Sequence, residues 1–361
     1  MRTNIRNKAV VMTAIGTIAL LLAACSSTAS SGGTSAASAG GTVAGTTASG
    51  KSQGKICVSV PPQTIGIVDL ISSSPIDLLT DQAVEQAATD LGWKYQFVNS
   101  NANATTAIQA INTFVSEHVG LIVDTSWDAG PIRSGLLAAQ KAHIPVVELA
   151  AGNNPSPLFA AMYNENETEM GKIVAQYIVD HVPNARIGDL STNANYAGVL
   201  RQNALVSVVA ATNGKAQIVD NIQANLTNPG PQVQAELAAH PNINALYVVF
   251  DDMDVAVAAE LRTLHKTNVK MYGYFTEASN LALMRSGQIA ALGTANLPLG
   301  GVVAIDQFLH HLKTGAAFNP NAVAAAGGLH YQVVTTPVVP FNNTQTIAPF
   351  LTKWAKEYAC K

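Results

Sequence analysis

The residues most suited to chemistry in this chain are two aromatic–carboxylate pairs at the ends of predicted buried strands. Trp127-Asp128 follows the strand 120–124, and Phe250-Asp251 stands at the end of the strand 245–250. An aromatic ring can cover an apolar ligand face, while a carboxylate accepts hydrogen bonds from ligand hydroxyl or amine groups. This combination favours reversible binding of a small polar molecule.

Further candidates share one property: each is a polar or aromatic side chain at or just beyond a predicted strand end. They are Gln63, Glu148, Asn164, Asn193, Tyr196, Phe275 and Asn296. Gln63 is expected in the loop after a first strand at 56–60. We expect the carboxyl ends of successive strands to bring these residues to one cleft.

Structural alternatives stay open for most of these residues. Trp127 could pack inside its own half of the protein, and Asp128 could cap the following helix. Glu148 could belong to a buried salt bridge, and Asn164 could serve a hinge. The stretch 193–196 is also typical of a simple turn. Gln63 could be a solvated loop residue.

Catalysis is not indicated. The chain has no H-E-x-x-H motif, and adjacent carboxylates such as Asp251-Asp252 are expected to point in different directions at a helix start. The segment 45–52 matches G-x-x-x-x-G-K-S, but low-complexity sequence precedes it where a phosphate-binding loop needs a strand. We therefore predict a protein that is not an enzyme and needs neither a metal nor an organic cofactor.

The elements that must position these residues alternate regularly. From residue 55 onwards, short β-branched runs alternate with amphipathic helical stretches. Parallel neighbours in a sheet require crossover helices, so this alternation predicts an α/β fold with doubly wound parallel sheets. A body of this length usually divides into two lobes.

The first 24 residues have the features of a signal peptide: Arg2, Arg6 and Lys8, then an apolar run that ends in Leu-Ala-Ala before Cys25. This matches the lipobox of bacterial lipoproteins, in which Cys25 would carry the lipid. An ordinary signal peptide with a chance cysteine is the alternative. Residues 25–54 are rich in Ser, Gly, Thr and Ala and are predicted to form a flexible tether.

Charge and cysteine content restrict the partners. Removing residues 1–24 takes away three basic residues and changes the formal net charge from −3 to −6, which argues against nucleic acid as a partner. Only Cys57 and Cys360 follow Cys25. In an oxidising compartment they could form a disulfide, and two free thiols are the alternative.

Several segments together resemble the type I, sugar-type periplasmic binding proteins, the family of ribose- and galactose-binding receptors. They are VGLIVDTSWDA at 119–129, AHIPVV at 142–147, MGKIVAQYI at 170–178, HPNINALYVVFDDM at 240–253 and VKMYGY at 269–274. The resemblance implies an N-terminal lobe of 55–163 plus 297–335, and a C-terminal lobe of 164–296 plus 336–361. Three crossings near 163–165, 296–298 and 335–337 would form the hinge.

The resemblance also implies a function. Such receptors are monomers that trap a small-molecule ligand, here a sugar or related compound, and deliver it to the membrane permease of an ABC importer. With the lipid anchor, this predicts an extracytoplasmic protein held at the cell membrane. The alternative is a sensor that hands its closed state to a membrane signalling receptor.

Departures from the family pattern affect the expected ligand. Ala150 stands where an acidic residue is usual, Phe275 replaces an Asp, and the usual Arg of the fifth helix aligns with Val199 or Leu200. Asn296 replaces a Gln on the second crossing. We therefore expect a cleft richer in aromatic groups and poorer in charged groups than a ribose site, suited to a ligand with an apolar face.

Overall fold

The computed structural model describes residues 55–151, 154–192 and 196–360, which belong to one compact unit. The expected signal peptide, Cys25, the tether and Asn193 lie outside the described residues. Among the described residues, no helix reaches the length and apolarity needed to cross a bilayer.

The described strands are β1 (Thr64–Asp69), β2 (Lys94–Asn99), β3 (Leu121–Thr125), β4 (Val146–Leu149), β5 (Ala161–Met162), β6 (Arg186–Ser191), β7 (Gln217–Gln223), β8 (Ala245–Val248), β9 (Lys270–Tyr274), β10 (Ile289–Thr294) and β11 (Gln332–Val334). The described helices are α1 (Pro75–Asp90), α2 (Ala104–Ser116), α3 (Arg133–Lys141), α4 (Glu167–His181), α5 (Tyr196–Ala210), α6 (Gly230–Ala239), α7 (Asp254–Thr263), α8 (Ala278–Arg285), α9 (Pro298–Thr314), α10 (Ala322–Ala325) and α11 (Asn343–Glu357).

Two sheets form the two lobes, and both are wound in the same way. The N-terminal sheet has the order β2-β1-β3-β4-β5, with parallel pairing throughout. The C-terminal sheet has the order β11-β10-β9-β8-β6-β7, in which only β11 is antiparallel. The expected doubly wound α/β fold is confirmed. In each sheet the strand order reverses beside the first strand, where such folds bind ligands outside the carboxyl ends.

The sequence prediction was wrong about the first strand. Residues 56–60 form only an isolated bridge, between Val58 and Ala359, and β1 begins at Thr64. Cys57 and Cys360 are joined by a disulfide across 303 residues of sequence, which fixes this segment beside the end of the chain. The β-branched run at 56–60 therefore packs at the edge of the body and is not a central strand.

The lobe boundaries also differ from the expected division. The chain passes between the lobes at 163–166, at 295–297, and on both sides of β11. Helix α11 packs against α1 and α9 of the N-terminal lobe, whereas β11 joins the C-terminal sheet. The apolar face of α11, which includes Phe350 and Trp354, needs this N-terminal surface for burial.

Helix α9 lies close to the first crossing because it begins with small residues. A Cβ atom added to Gly300 would lie 2.6 Å from the carbonyl oxygen of Tyr163, and one added to Gly301 would lie 2.9 Å from that of Thr80 in α1. A larger residue at either position would push α9 away from these backbones. The two glycines thus permit tight packing next to the hinge.

Candidate functional site

A cavity of about 400 Å³ lies between the two lobes. The residues that line it come from the carboxyl ends of strands in both sheets, from the start of α1 and from the first crossing. They are Leu70, Ile71, Ser73, Ser74, Pro75, Ile76, Asp77, Ala102, Ser126, Ala150, Glu165, Glu167, Ala197, Arg201, Leu226, Thr227, Phe250, Asp251, Asp252, Val255, Phe275, Ser279 and Leu297. The volume falls in the range of about 300–1,000 Å³ usual for small-molecule sites.

Three residues with left-handed backbone mark the strand ends that face the cavity. Ser126, Ala150 and Phe275 directly follow β3, β4 and β9, with φ of 69°, 61° and 61°. Residues other than glycine adopt this conformation at a cost, and such positions cluster at ligand sites. The sharp turns bring all three residues to the cavity wall instead of extending the strands.

Arg201 of α5 occupies the C-terminal side of the cavity and is almost completely buried. Its Nε donates to Glu167 Oε2 at 2.5 Å, and its Nη2 donates to Glu167 Oε1 at 3.0 Å. Its Nη1 donates to the carbonyl oxygen of Val249 at 2.8 Å, and Nη2 lies 3.8 Å from Glu165 Oε1. The guanidinium therefore joins α5 to the first crossing and to the segment after β8.

Aromatic rings surround the same guanidinium. The Arg201 Cζ atom lies 5.0 Å from the ring centre of Phe250, 4.3 Å from that of Tyr274 and 5.1 Å from that of Phe275. These distances are within the range of cation–π attraction. The ion pair and the rings hold one another, so Phe250 and Phe275 reach the cavity in fixed positions.

Carboxylates reach the cavity from both lobes. Asp77, in the first turn of α1, accepts a hydrogen bond from Ser126 Oγ at 2.9 Å. Asp251 belongs to a 3-10 turn, Asp251–Met253, before α7, and burial and the neighbouring Asp252 raise its pKa to about 7, against the opposing effect of Arg201. Both side chains are nearly buried. The site thus offers hydrogen-bond acceptors beside aromatic faces.

The sequence prediction placed three of these residues where the structure has them: Phe250, Asp251 and Phe275 all line the cavity. Each follows a strand of the C-terminal sheet. Trp127 does not line it, because the turn at Ser126 directs the next residue into the N-terminal lobe. Trp127 packs in that core and its Nε1 donates to Ser100 Oγ at 3.0 Å.

Three more candidates lie away from the cavity. Asp128 accepts a hydrogen bond from Asn154 Nδ2 at 3.2 Å, on the N-terminal lobe. Gln63 precedes β1 and lies beside Gly120, at the amino end of the sheet, because the true first strand follows it. Asn296 Oδ1 accepts from Thr346 Oγ1 at 3.0 Å and so ties the second crossing to α11.

Three further candidates also lie outside the cavity: Glu148, Asn164 and Tyr196. Glu148 is fully buried and accepts a hydrogen bond from Asn164 Nδ2, which links the end of β4 to the first crossing. Tyr196 is exposed at the start of α5 and lines, with Asn164, a separate open pocket beside the hinge. None of these three residues lines the cavity between the lobes.

Sequence reasoning missed several cavity residues, of which Asp77, Glu167 and Arg201 matter most. Arg201 was passed over because the usual arginine of the family was aligned one or two residues earlier. Asp77 follows Ser74, whose Oγ accepts a hydrogen bond from the Asp77 backbone N–H. This helix-start signal was visible, but the misplaced first strand separated it from the cleft.

One group among the described residues could hold a metal ion. Asp220, Glu236 and His240 place one ligand atom each within 4.8 Å of one another, on β7 and at the end of α6. The group lies outside the cavity. None of the three residues lines the cavity.

The fold and the cavity together define a class of protein. Two parallel sheets whose carboxyl ends face a shared cavity, joined by crossing segments, form a binding protein that can close around a small solute. The family model described as a periplasmic binding protein domain matches residues 70–316, and the chain belongs to this family. It is a solute-binding protein and not an enzyme.

Curated relatives include the ribose import binding protein of Salmonella typhimurium, which is 22% identical over 261 residues, covering 71% of this chain and 88% of the relative. The ribose import binding protein of Escherichia coli is 22% identical over 263 residues, with the same coverage.

Solved structures share the fold. A myo-inositol binding protein from Caulobacter superposes with a TM-score of 0.66 at 16% identity, covering 81% of this chain and 95% of that one. A carbohydrate transporter solute-binding protein from Agrobacterium radiobacter, in complex with D-arabinose, has a TM-score of 0.65 at 17% identity, covering 82% and 99%.

The buried contact between Glu148 and Asn164 of the first crossing can be tested through the pH dependence of stability. Burial raises its pKa from the ordinary 4.5 to about 8, although the hydrogen bond from Asn164 opposes this. The native state then holds a proton that the unfolded chain has lost, so stability falls as pH rises from about 4.5 to about 8. We expect Glu148→Gln to increase the free energy of unfolding by about 1–3 kcal/mol at pH 8 and to change it little near pH 5.

Urea unfolding of wild type and variant at both pH values measures this difference. The exposed Glu357→Gln at the end of α11 is the matched control and should behave like wild type at both. An equal effect of Glu148→Gln at pH 5 and pH 8 would contradict the assignment.

Proposed function

We propose that this protein captures a sugar or sugar-like solute between its lobes and delivers it to the permease of an ABC importer. The observation that carries the proposal is the cavity itself, which combines the faces of Phe250 and Phe275 with the acceptors Asp77 and Asp251. Apolar ring faces and hydroxyl groups of a small ring compound match these two kinds of surface.

The comparisons support this class of solute. The curated relatives are named as ribose import binding proteins, and solved structures with the same fold are described as binding myo-inositol, galactofuranose or D-arabinose. Import is supported by the same names. The particular solute must be inferred from the cavity of this chain itself. This cavity has Ala150 and Phe275 at positions where acidic residues are usual in the family.

Closure of the lobes provides the mechanism of capture. Residues of both lobes line the cavity, so a bound solute contacts Asp77 on one side and Phe250, Asp251 and Phe275 on the other. A ligand shifts a conformational equilibrium by its differential affinity for the two states. Contacts from both lobes exist only when the lobes are together, so binding favours the closed form that a permease would recognise.

We also propose that Cys25 carries a lipid that anchors the protein outside the cytoplasmic membrane. Its support is the apolar segment that ends in Leu-Ala-Ala before Cys25, followed by the Ser-, Gly-, Thr- and Ala-rich stretch. The disulfide between Cys57 and Cys360 is consistent with an oxidising compartment.

Solute capture predicts stabilisation of the purified protein by a member of a panel of pentoses, hexoses and cyclic polyols. At one hundred times its dissociation constant, a ligand that binds only the folded state adds about 2.7 kcal/mol to the stability. Phe250→Leu keeps an apolar side chain but removes the ring, and should weaken binding of the stabilising compound by about 5-fold or more in calorimetric titration.

Phe159→Leu is the matched control, because Phe159 is a buried ring of the N-terminal core away from the cavity. It should leave the affinity unchanged. A panel without any stabilising compound would contradict the proposed solute class, and equal affinities of wild type and Phe250→Leu would remove the ring from the site.

Lipid attachment predicts that the protein is recovered with membranes and incorporates labelled palmitate. Cys25→Ala should abolish the label and release the protein into the soluble fraction. Ser26→Ala is the neighbouring control and should retain both properties. Label in the Cys25→Ala variant, or its absence from wild type, would contradict the anchor.

A further inference from the structure

The described lining of the cavity contains five acidic side chains and one basic side chain. Its acidic residues are Asp77, Glu165, Glu167, Asp251 and Asp252, and its one basic residue is Arg201. The internal segments that the structure does not describe, 152–153 and 193–195, contain only Gly, Asn and Ala. They add no charge that could alter this balance.

The positive charge of Arg201 is already engaged. Glu167 accepts two hydrogen bonds from its guanidinium, and Glu165 Oε1 lies 3.8 Å from its Nη2. A buried arginine held in a bidentate pair with a carboxylate has its charge balanced locally. Among the described residues, Arg201 forms ion pairs only with Glu165 and Glu167, so its charge acts on Asp251 only at longer range.

Asp251 lacks a partner for one of its carboxylate oxygens. The residue is 6% exposed, it lines the cavity, and its Oδ2 has no hydrogen-bond partner among the described residues. A buried polar atom without a partner is costly. An oxygen left in this state on a cavity wall is suited to a hydrogen-bond donor supplied by the ligand.

Asp77 brings a second carboxylate from the opposite lobe. It is also 6% exposed, and the one hydroxyl that donates to it is that of Ser126. Burial raises the pKa of Asp77 well above its usual range, and the negative charges of Asp69, Asp81 and Asp251 add to that effect. When both carboxyls are ionised, repulsion between Asp77 and Asp251 acts across the cleft and opposes its closure.

We propose that the solute carries a protonated amine, as an amino sugar or an amino cyclitol does, and that its ammonium group binds between Asp77 and Asp251. The inference rests on the proposed function and narrows its solute class. The rings of Phe250 and Phe275 contact the apolar face of the solute, while the ammonium donates to carboxylates of both lobes.

An ammonium group compensates the negative charges of Asp77 and Asp251, which a neutral sugar does not. It donates charge-assisted hydrogen bonds, which are about twice as strong as neutral ones. It also replaces repulsion between the lobes by attraction of both carboxylates to one cation, so it favours closure. A neutral hydroxyl at the same position supplies a hydrogen bond but no charge.

The test compares matched pairs of compounds by calorimetric titration of the purified protein at about pH 7.5, where a carboxyl with a pKa of about 7 is mostly ionised and amines of this kind are still at least half protonated. The pairs are glucosamine with glucose, galactosamine with galactose, and 2-deoxystreptamine with myo-inositol. In at least one pair we expect the amine to bind about 10-fold or more tightly than its neutral counterpart.

Variants test whether the preference for the amine depends on Asp77 and Asp251. Asp251→Asn and Asp77→Asn remove one charge each at nearly constant shape, and either should reduce the preference for the amine to about 3-fold or less. Asp220→Asn removes the same charge from an exposed position on β7 and should retain the preference of wild type. A preference that survives both cavity variants overturns the inference even if amines bind well.

The remaining outcomes separate this inference from the proposed function. If neutral compounds bind and their amines bind equally or more weakly in every pair, the amine preference is overturned and the capture of a sugar stands. If neither the amines nor the neutral compounds bind, both are overturned. The comparison within each pair uses wild-type protein, so it holds even where a variant fails to fold.

Discussion

The buried guanidinium of Arg201 is the contact on which the rest of the site depends. It binds Glu167 at the start of α4, the carbonyl oxygen of Val249 after β8, and the rings of Phe250 and Phe275. Breaking such a buried pair by removing one partner costs about 3–5 kcal/mol, because a charge is left uncompensated. One side chain therefore fixes helix, strand ends and first crossing relative to one another, and together they form the C-terminal wall of the cavity.

The same arrangement explains why the cleft is both aromatic and acidic. Because Glu167 neutralises Arg201 from within the wall, the rings stay in place without a ligand, whereas Asp77 and Asp251 line the cavity without an ion pair among the described residues. If the solute is the proposed amine, closure is coupled to its charge, because the lobes approach most favourably when a cation between them compensates both carboxylates. Under this proposal, Arg201 and Glu167 make the cavity wall rigid, while Asp77 and Asp251 select the solute.

Much of the fold could be predicted from the sequence, because alternating buried strands and amphipathic helices restrict the chain to parallel sheets with crossovers. The strand ends at Phe250 and Phe275 were predictable for the same reason. Arg201 was not, since the rotational phase of α5 depends on packing that no local pattern records. The β-branched run at 56–60 misled the prediction, because its position is set by Cys360 at the far end of the chain. That error placed Gln63 in the cleft and left Asp77 outside it.

The most direct test of this account is a crystal structure of the purified protein with the compound that stabilises it most. The account predicts that the compound lies between the lobes, with its apolar face on Phe250 or Phe275 and polar groups on Asp77 and Asp251. Contacts from both lobes to one molecule would establish the cavity as the site of capture. A compound bound to one lobe alone, or in the pocket beside Tyr196, would contradict it.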